Sequence, residues 1–94
     1  MSEFVQIIRF RTNDFDAVEK LYHQYEEDTA GHSTLTSSMH GRDLDTGEYV
    51  VVVTFPSREA AAKNDALPET GASAQKMQAL ATGEPTFSNI EVLL

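Results

Sequence analysis

The sequence predicts an α+β domain in which helices cover a four-stranded antiparallel sheet. Two observations lead to this fold class. Segments rich in β-branched and aromatic residues alternate with segments of helical periodicity in the order strand, helix, strand, strand, broken helix, strand. In addition, two of the four predicted strands are apolar on both faces, so both sides of the sheet need a covering layer.

Composition sets limits on the class of protein. The 94 residues predict a single domain spanning residues 1–94, and the absence of Cys leaves no ligands for an iron–sulfur cluster or a Cys-bound zinc. Fifteen acidic and seven basic residues give a net charge of −8, which would repel nucleic acid and anionic membranes. No apolar segment approaches the roughly 20 residues of a membrane span, and no basic region precedes an apolar run at the N-terminus. We therefore expect a cytoplasmic protein with neither nucleic-acid nor membrane partners.

The first strand and the first helix follow from local patterns. Phe4–Arg11 is rich in β-branched and aromatic residues and predicts a strand. Residues with capping side chains precede a helix predicted over Asp14–Thr29, and Gly31 is a suitable stop. One face of this helix carries apolar residues at three- and four-residue steps: Phe15, Val18, Leu21, Tyr22 and Tyr25.

The next two strands form a predicted hairpin. Leu35–Arg42 alternates apolar and polar residues, as an edge strand does, and a turn ending at Gly47 leads into Glu48–Phe55. The latter strand carries two apolar faces, and the sequence leaves open which of them meets the helices. The two faces are Tyr49, Val51, Val53 and Phe55 on one side, and Val50 and Val52 on the other.

The last third of the chain predicts a broken helix and a strand. A helix begins after Ser57, and Pro68 breaks it near Ala66–Leu67 because the residue before proline avoids the helical region. A second helix is predicted over Glu69–Ala81, followed by a strand over Thr86–Leu94.

This element order is the ferredoxin-like βαββαβ arrangement, in which the first and third strands are central. Those are the two strands that are apolar on both faces. Because the helices of such a fold lie on one side of the sheet, its other face is left bare. Each fully buried Val, Ile or aromatic side chain contributes about 1.5–3 kcal/mol, so this face is costly to expose. We therefore predict a homodimer that packs sheet face against sheet face.

Three segments of the chain resemble the dimeric α/β-barrel superfamily, and in particular its small, uncharacterised members that are similar to antibiotic biosynthesis monooxygenases. They are Ser57–Ala61, which opens the second helix, Leu67–Thr70, which breaks it, and the closing run Pro85–Val92. The resemblance implies a dimeric α/β barrel. It also implies a cofactor-independent, monooxygenase-like enzyme acting on a small aromatic or polyketide-like substrate. The chain departs from this pattern in having no Trp, and in placing Asn64 and Glu69 where many such members carry His.

Four residues are the candidates for a catalytic site. We assign His40 as general base because the pKa of imidazole suits proton transfer, although ordinary exposure would also explain it. Asn64 and Tyr49 would position a ligand, with a helix end as the simpler role for Asn64. Arg9 would stabilise an anion or form an ion pair at the barrel end. The scattered glycines form no nucleotide motif and no metal-ligand spacing is present, so we expect no cofactor and no metal.

Two functions remain open. The first is an enzyme with a small-molecule pocket between sheet and helices, over which the broken helix acts as a lid. The second is a noncatalytic dimeric module that binds a ligand or a protein, and haem binding is a distant third. A deep pocket lined by convergent polar groups would favour the enzyme, and a pocket filled by Phe15, Leu21 and Met77 would favour the module.

Overall fold

The structure is a computed structural model that describes residues 2–94. It contains one antiparallel sheet with strand order β2-β3-β1-β4. The elements are β1 (Phe4–Phe10), α1 (Phe15–Thr29), β2 (Ser37–Arg42), β3 (Tyr49–Phe55), α2 (Arg58–Asp65), α3 (Pro68–Leu80) and β4 (Thr86–Glu91). The predicted α+β, ferredoxin-like fold with a broken second helix is confirmed.

The two strands predicted to be central are the central pair. β1 pairs with β3 from Phe4 opposite Phe55 to Phe10 opposite Tyr49, and on its other side β1 pairs with β4. β2 and β4 are the edges. Strands that are apolar on both faces are therefore those with a neighbour on each side, as their sequence predicted.

One face of the sheet meets the helices and carries the core. Phe10, Val18 and Val51 are buried together, and Val53 packs against this cluster. Because side chains alternate along a strand, Val50 and Val52 point to the opposite face, which no helix covers. The structure thus settles which set of valines faces the helices.

Element boundaries shift by one to three residues from the prediction. α3 begins at Pro68 itself, since proline is suited to the first helical position, where its missing N–H costs nothing. β4 ends at Glu91 rather than Leu94 because Glu91 lies opposite Phe4, where β1 begins. β2 begins at Ser37 because Leu35 turns toward the helices instead of pairing with β3.

The predicted hairpin between β2 and β3 is present. Gly47 adopts a φ of 79°, which a residue with a Cβ rarely adopts. The Asp43 carboxylate accepts hydrogen bonds from the backbone N–H groups of Asp45 and Thr46. Elsewhere in the fold, none of the helices within residues 2–94 combines the length and the apolar composition that crossing a membrane requires.

Candidate functional site

A cavity of about 540 Å³ lies between the helix-covered face of the sheet and the helices α1, α2 and α3. This volume is within the range of small-molecule sites, about 300–1,000 Å³. The apolar part of its wall includes Ile8, Val51, Val53, Phe55, Met77 and Phe87. Polar side chains from α1, α2, α3, β2 and the loop before β2 converge on the same space.

Asn64, in the last turn of α2, organises the polar end of the cavity. It is only 5% exposed, and its amide nitrogen donates to the Tyr25 hydroxyl at 3.0 Å. Its amide oxygen accepts from the Ser33 hydroxyl at 3.2 Å and from the backbone N–H of Thr34 at 3.4 Å. The side chain therefore joins α2 to α1 and to the loop that precedes β2.

Tyr25 and Thr70 continue this network toward the ligand space. Their hydroxyl oxygens are 2.7 Å apart, and either can be the donor. Two hydroxyl groups supply two hydrogens, and the bond between them uses one. Since Asn64 donates to Tyr25 and takes neither hydrogen, one O–H of the pair remains to donate to a ligand in the cavity.

His40 of β2 lines the same cavity beneath α1. Its ring lies against the ring of Tyr22, with centroids 4.2 Å apart and planes inclined by 48°. Partial burial of the ring, in a residue that is otherwise exposed on β2, lowers the pKa of His40 below its ordinary value of 6.5; the Glu26 carboxylate raises it in part, and His23 lowers it. His40 is therefore neutral at pH 7 and has a ring nitrogen able to accept a proton.

Tyr22 is a packing partner and not a base. Burial raises its pKa to about 12, so its hydroxyl keeps its proton at physiological pH. The ring restricts the orientation of His40 from the helix side.

An ion pair joins the loop before β2 to the first turn of α3. His32 contacts the Glu69 carboxylate, and this hydrogen bond lowers the pKa of Glu69 below its ordinary value. The residues next to the pair, Gly31, Ser33 and Thr70, line the cavity. The His32–Glu69 contact therefore lies next to the cavity lining without belonging to it. Within residues 2–94, no three His, Asp or Glu side chains are grouped closely enough to hold a metal ion.

Known structures resemble this chain over nearly its full length. SnoaB, described as a cofactor-independent oxygenase from Streptomyces nogalater, is 18% identical with a TM-score of 0.78, covering 96% of this chain and 92% of that one. A structure described as an antibiotic biosynthesis monooxygenase is 17% identical with a TM-score of 0.78, covering 97% and 99%. A dimeric ferredoxin-like protein of unknown function from Thermobifida fusca is 17% identical with a TM-score of 0.75, covering 97% and 92%.

The chain has the fold of the antibiotic biosynthesis monooxygenases. The resemblance found in the sequence is confirmed at the level of fold, including the likeness to small proteins of unknown function. Neither a protein-family model nor a curated protein sequence matches the chain.

The four predicted site residues lie in different regions of the structure. His40 and Asn64 both line the cavity. Tyr49 lies at the end of the core, with its ring stacked on Phe15 at 4.5 Å between centroids. Arg9 points to the uncovered face of the sheet, where its guanidinium is 3.1 Å from the Asp43 carboxylate. The geometry therefore brings two of the four candidates together.

The sequence did not identify Tyr25, Thr70 or Ser33 as site residues. In the sequence, Tyr25 is one of the residues on the apolar face of the predicted first helix. Its separation from Asn64 is 39 residues, and from Thr70 it is 45 residues. The one available signal was a hydroxyl at the end of an otherwise apolar helix face, since a buried Tyr hydroxyl usually finds a partner.

Proposed function

We propose that this chain is a homodimeric enzyme that oxygenates a small aromatic or polyketide-like compound without a bound cofactor. The observation that carries the proposal is the convergence of a neutral His40 and the Tyr25–Asn64–Thr70 network on one cavity. Met77 lines this cavity without filling it, whereas Phe15 and Leu21 pack elsewhere. Similarity of fold to SnoaB, described as cofactor-independent, supports the choice of reaction. The expected cytoplasmic location remains part of the proposal.

His40 is the general base in this proposal. Its neutral imidazole removes a proton from an activated C–H or phenolic O–H group of the substrate, a contribution of typically 10²–10⁴-fold in rate. The ring contacts that of Tyr22 on one side and lines the cavity, so its nitrogens are within reach of a bound ligand.

The free hydroxyl hydrogen of the Tyr25–Thr70 pair stabilises the resulting anion. A hydrogen bond to an oxyanion is stronger than one to a neutral carbonyl, so this donor favours the deprotonated substrate. The electron-rich carbon of that anion, which still carries one hydrogen, then adds O₂, and the resulting peroxide anion takes the proton back from the His40 imidazolium. Loss of the remaining C–H hydrogen as a proton, with cleavage of the O–O bond and departure of hydroxide, leaves a carbonyl on the substrate and one molecule of water, with O₂ as the oxidant. Asn64 is a positioning residue here, because its amide is engaged with Tyr25, Ser33 and Thr34.

Oxygen consumption with a hydroxylated anthrone as substrate tests the proposal. We expect His40→Asn to lower kcat by about 10²-fold or more while leaving the fold intact. His23→Asn is the matched control, because His23 is exposed on α1, does not line the cavity and affects His40 only through the smallest of the three causes of its pKa shift. Equal turnover by the two variants would contradict the assignment of the base. Binding of the anthrone without turnover would instead support the noncatalytic module.

The dimer in this proposal forms through the uncovered sheet face. Ile7, Val50 and Val52 of the two central strands lie there, and the edge strands add Met39, 57% exposed, and Ile90, 39% exposed. An apolar face of this extent is costly to leave in water. The Thermobifida fusca structure of the same fold is described as dimeric, which supports the assembly. Light scattering at micromolar concentration tests it, and a stable monomer would contradict it.

A further inference from the structure

The cavity carries an unbalanced set of charges. Two carboxylates line it, that of Glu26 on α1 and that of Asp65 at the end of α2. Apart from these and His40, its polar lining consists of uncharged hydroxyl and amide groups. A ligand bound in this cavity therefore meets negative charge and neutral hydrogen-bonding groups.

No side chain in the cavity supplies compensating positive charge. The Lys and Arg residues of the chain, all within the part that the structure describes, are Arg9, Arg11, Lys20, Arg42, Arg58, Lys63 and Lys76. None of the seven lines the cavity. Arg9 and Arg11 are engaged at the hairpin, where they contact the Asp43 carboxylate and the Thr46 carbonyl. Lys76 lines a separate groove of about 290 Å³ on the outer side of α1 and α3.

The histidines near the cavity do not restore the balance. Burial keeps the pKa of His40 below 6.5, so its ring is neutral at pH 7. His32, which does not line the cavity, is paired with the Glu69 carboxylate, so any positive charge on it is already neutralised. Positive charge on a ligand would thus be attracted to Glu26 and Asp65, while a ligand carboxylate would find no cation to pair with.

Aromatic rings in the wall suit a flat or cationic ligand. Tyr22 and Tyr25 lie on the helix side of the cavity, and Phe87 of β4 is 62% exposed at its rim. Aromatic faces attract both other rings and organic cations. The net charge of −8 on the whole chain acts in the same direction over longer distances.

We infer that the site selects aromatic ligands without an anionic group and binds an amine-bearing ligand more tightly than its carboxylate counterpart. This inference rests on the proposed function, since it concerns the substrate of the same cavity. It narrows that substrate to neutral or cationic aromatic compounds, and it assigns Glu26 and Asp65 as the residues that determine the charge preference.

Three ligands with one ring system test the inference. At pH 7, 2-naphthylmethanol is uncharged, 2-naphthylmethylamine is cationic and 2-naphthoate is anionic. Binding is followed by NMR through the backbone amide resonances of Ser38 and Val53, which belong to the cavity wall. We expect the amine to bind at least as tightly as the alcohol, and the carboxylate to bind about tenfold more weakly than the alcohol.

Substitutions distinguish the effect of the two cavity carboxylates on ligand binding from the effect of the net charge of the whole chain. Glu26→Gln should reduce the preference for amine over carboxylate by several-fold, and Asp65→Asn should act in the same direction. Glu27→Gln is the matched control, because it removes the same charge from the next residue of α1 but does not touch the cavity. It should change the preference by less than about twofold.

The outcomes distinguish this inference from the proposed function. If the carboxylate binds as tightly as the alcohol, or if Glu27→Gln changes the preference as much as Glu26→Gln does, the charge selection is wrong while the cavity remains a binding site. If none of the three ligands binds, both the inference and the proposed ligand site are wrong. Binding in the expected order, with the preference reduced only by the cavity variants, supports both.

Discussion

The two faces of the sheet are built from alternate residues of the same strands, yet they differ in every property that bears on function. The helix-covered face carries the buried cluster of Phe10, Val18 and Val51 and, beside it, the cavity with its hydrogen-bond network. The uncovered face carries the apolar side chains of Ile7, Val50 and Val52, with Arg9 and its ion pair to Asp43 at one end. In the proposed dimer, the first face is specialised for a ligand and the second for a copy of the chain.

This difference has a physical origin in packing. The helices do not fill all the space over the sheet, and small residues such as Ala74 of α3 line the space that remains. An uncovered apolar face instead can pack closely against an identical face related by a two-fold axis. Substitutions on the two faces should therefore affect different measurements, and the predictions below depend on that separation.

The largest effect is expected from Val52→Asp on the uncovered face. In a two-fold interface, one such carboxylate from each protomer would be buried without a partner of opposite charge. We therefore expect the free energy of dimerisation to weaken by at least about 3 kcal/mol, which is roughly 100-fold in dissociation constant. Sedimentation equilibrium measures the change. Gln75→Asp adds the same charge to the exposed surface of α3 and should leave association intact. If the Val52→Asp protein remains a tight dimer, the uncovered face is not the dimer interface.

A smaller effect is expected from Asn64→Ala, which acts only on the covered face. The substitution leaves the Thr34 N–H without its acceptor and removes the donor to Tyr25, at a cost of about 1–3 kcal/mol in the free energy of unfolding. Chemical denaturation measures this loss, and ligand affinity should fall with it. The dimer dissociation constant should not change.

The control for that prediction is Asn89→Ala. Asn89 is an exposed residue of β4 whose side chain accepts one hydrogen bond, from Gln6 at 3.3 Å. Its loss should cost less than about 0.5 kcal/mol. Equal destabilisation by the two variants would show that Asn64 has no special role in the network.

The pH dependence of His40 gives a third and smaller effect. Burial depresses the pKa of His40 in the folded protein below the value of about 6.5 that it has in the unfolded chain. The stability linked to the neutral ring is therefore fully present above pH 6.5. It is lost as the pH falls through the lower pKa of the folded protein. Activity that needs the neutral ring should fall over the same acidic range. An NMR titration of the ring protons measures the folded pKa.

Glu26→Gln sharpens this third prediction. The Glu26 carboxylate raises the pKa of His40, so its removal should lower that pKa further. A folded His40 pKa at or above 6.5 would contradict the assignment of a neutral base at the cavity wall.

A small effect on stability is also expected from Phe87→Ala. This side chain is 62% exposed on edge strand β4, so its removal should change the free energy of unfolding by less than about 1 kcal/mol. Since the ring lines the cavity rim, ligand affinity should nevertheless decrease. A calorimetric titration of wild type and variant separates the two quantities, and unchanged affinity would place the ligand away from β4.

The sequence predicted the fold well because the patterns that define it are local. Apolar periodicity located every helix and strand, and Pro68 marked the break between α2 and α3. The residues of the site were harder to predict from the sequence, since their positions depend on strand register. Arg9 has the same side-chain direction as Ile7, but only the pairing of β1 with β3 shows that this direction leads away from the cavity.

Other parts of the site depend on contacts between distant residues. Tyr49 shares the covered face with Val51, and its exclusion from the cavity follows from the stacking of Phe15 at the start of α1. The contacts of Tyr25 with Asn64 and Thr70 connect three helices, so no local pattern could reveal them. Composition gave the acidic excess of the whole chain but not its location, and only the fold shows that Glu26 and Asp65 line the cavity.

The pairing of β4 with β1 has a consequence for how the protein forms during synthesis. It joins parts of the chain that are far apart, as the hydrogen bond between Gln6 and Asn89 across 83 residues shows. Until the last strand emerges from the ribosome, β1 has an unpaired edge, and the cavity lacks the rim that Phe87 provides. The cavity wall is therefore completed only once β4 has been synthesised, after the hairpin of β2 and β3 and the three helices are available to fold.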